Sequence, residues 1–176
     1  DFHVDAAWNF NGDANFSDFT VIGGHSVLAG MDFDSDSLFE VLFVIDETLA
    51  PGGPDPGKLG VYLYESDGNG GYTYVWHWVT PDPGNSLPGM NYGDIDGDGN
   101  HEIYFGVPPS VGNNTNSWGT YIFEQGADGV FPTTPTMLWQ HANGATGLTE
   151  TDNFRPSSYQ IADVDGDGKN ELITTD

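Results

Sequence analysis

The sequence predicts an all-β fold of repeated antiparallel hairpins, and three observations carry that expectation. A nine-residue turn with acids at positions 1, 3, 5 and 9 occurs three times, at Asp32–Glu40, Asp94–Glu102 and Asp163–Glu171. Each copy runs straight into residues that suit a pleated, half-buried surface: Val41-Leu-Phe-Val44, Ile103-Tyr-Phe-Gly106 and Leu172-Ile-Thr174. Two further strand-like segments, Gly60-Val-Tyr-Leu-Tyr-Glu65 and Gly119-Thr-Tyr-Ile-Phe-Glu124, match each other. Each is followed by a glycine-rich turn of the kind that closes hairpins, Ser66–Gly71 and Gln125–Gly129.

The acidic turns carry the chemistry. Four carboxylates in one short loop repel one another unless a cation lies among them. Calcium suits such a cage because it accepts six to eight oxygens at about 2.3 to 2.6 Å in flexible geometry, whereas magnesium demands a rigid octahedron and keeps its waters. The expected ligands of loop one are Asp32, Asp34, Asp36 and Glu40, with the carbonyl oxygen of Leu38. Loop two offers Asp94, Asp96, Asp98 and Glu102 with the carbonyl of Asn100, and loop three Asp163, Asp165, Asp167 and Glu171 with that of Lys169. Ser35 and Ser37 stand in loop one where loops two and three have glycine, and they must take backbone angles that glycine adopts more easily. A helix-loop-helix calcium site opens with the same spacing but needs an acid at position 12 and a helix after it. Position 12 here is Phe43, Phe105 and Thr174, so the cages lie between strands.

This combination resembles the FG-GAP/VCBS repeat, most closely at Gly93–Pro108, well at Ile161–Thr174 and less at Gly30–Val44, where the glycines are missing. The resemblance implies a β-propeller blade of four antiparallel strands, A to D, with Ca²⁺ held in the A-B hairpin. The loops recur 62 and 69 residues apart, counting Asp32 to Asp94 and Asp94 to Asp163, longer than a WD40 blade and near the period that the resemblance implies. Trp8, Trp76 and Trp139 keep step with them and, with Trp78, read as packing residues of the blades. On this frame residues 1–20 hold a lone D strand, near His3–Phe10, and a loop. Blade one spans 21–80, with strands at Ser26–Met31, Glu40–Ile45, Gly60–Glu65 and Tyr72–Val79. Blade two spans 81–145, with strands at Gly89–Gly93, Glu102–Val107, Gly119–Glu124 and Thr136–His141. Residues 146–176 form an A-B half-blade that opens at Ser158–Ala162. About two and three-quarter blades cannot close a ring, since propellers close with roughly four to eight. The expected remedies are the remainder of a larger propeller, or strand addition between copies that yields a ring, filament or tube.

Composition limits the functions available. The formal net charge is -24, with Lys58, Arg155 and Lys169 the only bases. Three bound calcium ions would leave about -18, still enough to repel nucleic acid and anionic membranes. No apolar run is long enough to cross a bilayer. Cysteine is absent, which removes disulfides and thiol chemistry. His77, His101 and His141 fit no zinc spacing, and His101 is expected to face solvent. No nucleophile elbow or phosphate loop is present, and a carboxylate pair such as Glu124 and Glu150 follows no catalytic spacing. No catalytic residue and no enzyme activity is expected. Asn15 and Asn113 open N-glycosylation triplets, and the Asn9–Asn15 stretch reads as a turn.

The expected protein is an extracellular or cell-surface, calcium-binding, structural or adhesive β-repeat protein that assembles head to tail with copies of itself. The alternative is a fragment of a larger secreted propeller that binds carbohydrate or protein ligands or accompanies an enzyme domain. A soluble calcium buffer fits the charge but not the aromatic content of 14%.

Overall fold

A computed structural model describes residues 19–49, 58–81, 89–107, 118–126, 129–139 and 156–175. They form ten strands, and no helix occurs among the described residues. Sheet one contains β1 (Phe19–Met31), β2 (Glu40–Leu49), β3 (Lys58–Ser66) and β4 (Tyr72–Val79). Sheet two contains β5 (Met90–Gly93), β6 (Glu102–Val107), β7 (Gly119–Glu124) and β8 (Met137–Trp139). Sheet three pairs β9 (Ser158–Ala162) with β10 (Glu171–Thr175). Each sheet follows chain order with antiparallel neighbours. The strands at Tyr72–Val79, Glu102–Val107, Gly119–Glu124 and Ser158–Ala162 have the expected bounds. The lone strand near His3–Phe10 lies outside the described residues, as do Trp8, both glycosylation triplets, His141 and Glu150.

The hairpin of sheet one is longer than its sequence suggests. β1 begins at Phe19 and β2 continues to Leu49, with Phe19 paired to Leu49. Gly23-Gly24 and Asp46-Glu47 look like strand breakers, but shifts of register on either side of Gly24 absorb the glycines. A glycine at a bulge twists the ladder without ending it.

The sheets stack face against face in a repeating pattern. Leu42, Val44, Val61, Leu63, Trp76 and Trp78 of sheet one pack on Ile103, Phe105, Tyr121 and Phe123 of sheet two in one core cluster. Trp78 lies 5.4 Å from Phe105 and 4.8 Å from Tyr121, centroid to centroid, and is 8% exposed. The opposite face of sheet two, with Tyr104 and Ile122, packs on Tyr159, Ile161 and Leu172 of sheet three. Every residue of β6 is therefore buried, which is why that strand reads as a continuous apolar run and not an alternating one.

Close approach between sheets two and three depends on glycine. A Cβ on Gly106 would strike the Pro156 ring and come within 2.9 Å of the Tyr159 hydroxyl. Asn91 donates to the Tyr159 carbonyl at 2.9 Å, and Thr120 Oγ1 hydrogen-bonds the Tyr159 hydroxyl at 3.0 Å. The first strands of successive sheets also approach one another, β1 to β5 and β5 to β9, so the hairpins that follow them share one side of the stack.

The tryptophan register differs from the one the sequence suggests. Trp76 pairs with Leu63 and Trp78 with Val61, while Trp139 pairs with Thr120 and Met137 with Ile122. Since Gly60–Glu65 corresponds to Gly119–Glu124, Trp139 matches Trp78 and not Trp76. Trp76 and Trp78 are buried packing residues as expected, but Trp139 is 45% exposed. The reason is coverage. Trp78 faces the four-stranded sheet two, whereas Trp139 lines an apolar groove of about 320 Å³ with Ile122, Met137, Leu172 and Thr174, beside sheet three, which has two strands among the described residues.

Candidate metal centres

All three acidic loops join adjacent strands, β1 to β2, β5 to β6 and β9 to β10. In each loop the aspartates at positions 3 and 5 accept from the backbone two residues on, and the aspartate at position 1 accepts from five residues on. The N–H of position 5 donates to the Asp at position 3: Asp36 to Asp34, Asp98 to Asp96, Asp167 to Asp165. The N–H of position 7 donates to the Asp at position 5: Leu38 to Asp36, Asn100 to Asp98, Lys169 to Asp167. The N–H of position 6 donates to the Asp at position 1: Ser37 to Asp32, Gly99 to Asp94, Gly168 to Asp163. In loops one and two the three aspartates come together, whereas in loop three Asp163 and Asp165 meet Glu171, and Asp167 joins no convergent group among the described residues. Position 6 in each loop has positive φ, with Gly99 at 93° and Gly168 at 88°. Ser37 at 74° and Ser35 at 63° take the same conformation with side chains, as the sequence required.

The glutamate at position 9 opens the following strand and is held from across the loop. Phe33 N–H donates to Glu40 at 3.2 Å, Ile95 N–H to Glu102 at 2.6 Å and Val164 N–H to Glu171 at 2.9 Å. Glu40 is 2% exposed and Glu102 3%. Burial pushes the carboxyls of Glu40 and Glu102 up to about 7, against the backbone bonds that lower them, and neighbouring acids add to the rise. Glu102 Oε1 and Asp32 Oδ1 are buried without a hydrogen-bond partner among the described residues.

Carboxylate oxygens converge within 4.8 Å in Asp32, Asp34 and Asp36, in Asp94, Asp96 and Asp98, and in Asp163, Asp165 and Glu171. Buried, partnerless oxygens amid convergent acids are costly unless a positive charge meets them. The donor set is all oxygen and fits a hard divalent cation.

Two features escaped the sequence reading. Glu65, on β3 opposite Glu40, forms a further convergent group with Asp34 and Glu40. The signal was the shared ending of Gly60–Glu65 and Gly119–Glu124, which sets an acid beside each position-9 glutamate. Burial and then the charges of Asp36, Asp34 and Asp32 raise the Glu65 carboxyl. His101 does not face solvent as expected: it is half-buried, with its ring 5.8 Å from Phe33, the position-2 residue of loop one. Loop three likewise meets loop two, where Asn170 Nδ2 donates to the Asp94 carbonyl at 3.4 Å.

No curated protein and no solved structure matches the chain. The family model for the FG-GAP-like repeat matches residues 32–105, from the first acid of loop one into the strand after loop two. Loop three lies beyond the matched span and repeats the same bonding. Over residues 32–105 the chain is similar to the FG-GAP-like repeat.

Proposed function

We propose that the chain is a calcium-binding structural β-repeat of an extracellular or cell-surface protein, with one Ca²⁺ in each acidic loop and blades of the propeller type. The observation that carries this reading is the triplicated bonding scheme, in which backbone N–H groups of each loop donate to its aspartates and to the glutamate at position 9. The fifteen ligands are Asp32, Asp34, Asp36, Leu38 and Glu40; Asp94, Asp96, Asp98, Asn100 and Glu102; and Asp163, Asp165, Asp167, Lys169 and Glu171. Bound calcium supplies positive charge that no side chain in these loops supplies, except Lys169 in loop three. The protein's part is to fix each hairpin so that the next sheet finds a rigid face. Placement outside the cell agrees with the abundance of calcium there. Among the described residues no helix is long and apolar enough to cross a membrane.

The role is structural or adhesive and not catalytic, and the partner is another copy of the chain or further repeats of the same kind. Two features support a continuing stack. Among the described residues β10 pairs only with β9, and a strand with an open edge accepts another. On sheet three Val164, at position 2 of its loop, is 64% exposed, whereas Phe33 at the same position of loop one is buried against sheet two. Thermal unfolding with calcium and with excess chelator, together with negative-stain microscopy of both samples, tests the proposal. Calcium should raise the melting temperature and sustain assemblies; equal melting and unchanged particles in chelator would sink it.

A further inference from the structure

We infer that the apolar groove beside Trp139 receives a strand from a second copy of the chain, and that this strand is Phe2–Phe10. The inference rests on the self-assembly part of the proposed function and names the two surfaces that meet. Trp139 lines the groove between sheets two and three with Ile122, Met137, Tyr159, Leu172 and Thr174.

Sheet one shows what the groove accepts. Trp78 holds there the place that Trp139 holds in sheet two. The Trp78 ring has three aromatic neighbours in the next sheet, Phe105 on β6 and Tyr121 and Phe123 on β7, at 5.4, 4.8 and 5.4 Å. On sheet three the place of Phe105 falls to Thr174, at position 12 of its loop. No counterpart of β7 lies along β10 among the described residues. Exposure follows: Trp78 is 8% exposed against 45% for Trp139, and Trp76 5% against 56% for Met137. The groove therefore calls for a strand on the outer edge of β10 that turns bulky apolar side chains, two residues apart, toward Trp139.

The chain has such a stretch outside the described residues. In Phe2-His-Val-Asp-Ala-Ala-Trp-Asn-Phe10 every even position is apolar, while His3, Asp5 and Asn9 are polar. That alternation suits a strand packed on one face and wet on the other. Sheet three offers this setting, since its face away from sheet two, with Gln160, Ile173 and Thr175, is exposed. Trp8 and Phe10 are spaced as Tyr121 and Phe123 are. Nine extended residues reach about 30 Å, enough to cover the five of β10. The other stretches outside the described residues are broken by proline or glycine or do not alternate. A second copy is the donor because sheet two stands between sheets one and three of one chain. Only residues 11–18 join the segment to β1, an extended reach of under about 30 Å, and that link would have to pass around sheet two. A neighbouring copy meets no such obstacle, and repeating the contact builds a filament or a ring.

The test is light scattering in millimolar CaCl₂ of wild type, of a groove variant, Trp139→Ser, and of a strand variant, Trp8→Ser with Phe10→Ser, with melting curves in calcium and in chelator. Wild type should associate as its concentration rises. Each variant alone should associate about tenfold more weakly or less, as loss of an aromatic anchor does. An equimolar mixture of the two should form pairs of twice 19.0 kDa and nothing larger, because only one junction remains intact. Should Trp139→Ser fail to fold, a synthetic peptide of residues 1–11 decides: it should bind the strand variant in calorimetry, and the same peptide with Trp8→Ser and Phe10→Ser should not. Wild type that stays monomeric, as it would if its own Phe2–Phe10 filled the groove, overturns the inference. Variants that associate like wild type, or a peptide that does not bind, overturn it too. In each of these outcomes a melting temperature raised by calcium leaves the calcium reading standing, whereas equal melting in calcium and chelator overturns that reading itself.

Discussion

Replacing Glu102 by glutamine should move stability in opposite directions with and without calcium. Without metal, Glu102 Oε2 accepts from Ile95 at 2.6 Å while Oε1 is buried with no partner among the described residues. Glutamine keeps the first bond and turns a neutral NH₂ toward the acids Asp96 and Asp94, whose charges raise the native carboxyl. Removing an unsatisfied buried oxygen is worth about 1 to 3 kcal/mol, from which the amide's own burial subtracts, so a gain of about 1 kcal/mol is expected. With calcium the variant lacks one of four carboxylates at loop two, and a loss of about 10- to 100-fold in affinity is about 1.4 to 2.7 kcal/mol. For a chain of this size each kcal/mol shifts the melting temperature by about 2 to 4 °C. Circular-dichroism melts in chelator and in millimolar calcium should therefore cross: the variant melts about 2 to 4 °C above wild type in the first and, because the metal-free gain of about 1 kcal/mol offsets part of the lost binding, about 1 to 7 °C below it in the second. The pH dependence follows the same group. Its carboxyl lies at about 7 in the metal-free fold against an ordinary 4.5, so the folded chain keeps a proton that the unfolded chain releases. Metal-free stability then falls as pH rises from 4.5 to 7, and glutamine flattens part of that slope, Glu40 supplying the rest. A variant that melts lower than wild type in both buffers would refute the reasoning.

Other perturbations separate packing from metal binding. Gly106→Ala places a methyl against the Pro156 ring and the Tyr159 hydroxyl; it should cost about 1 to 3 kcal/mol in denaturant titrations, and an unchanged midpoint contradicts the packing of sheets two and three. Trp78→Ala empties the centre of the interface between sheets one and two and should cost about 3 to 5 kcal/mol, whereas Trp139→Ala, at a half-exposed position, costs far less; equal losses contradict the register of β8. Ser35→Gly and Ser37→Gly relieve φ values of 63° and 74° and should each stabilise the chain by up to about 1 kcal/mol, read as a higher melting temperature.

Much of the fold was legible because local chemistry and repetition agreed. Acids at odd positions of a tight turn demand inward-facing backbone donors, and Val-Leu-Phe-Val or Ile-Tyr-Phe after them has no better home than a strand. Matching Gly60–Glu65 with Gly119–Glu124 therefore placed β3 and β7. What stayed hidden was contact between distant segments. The extension of β1 back to Phe19 depends on a bulge at Gly24 that a sequence reads as a break. The exposure of Trp139 depends on how far sheet three reaches across sheet two, not on its neighbours in the chain. The half-buried His101 is set by Phe33 of the preceding loop. Glu65 was visible as the end of a repeated segment, but its approach to Asp34 is a matter of cross-strand register.

Calcium stoichiometry bears most directly on the central claim. Titrating CaCl₂ into the metal-stripped chain by calorimetry should show three equivalents bound, with the melting temperature rising as they fill; at a free concentration a thousandfold above the dissociation constant each site adds roughly 4 kcal/mol. A flat titration at millimolar calcium, with the same melting temperature in chelator, would contradict it.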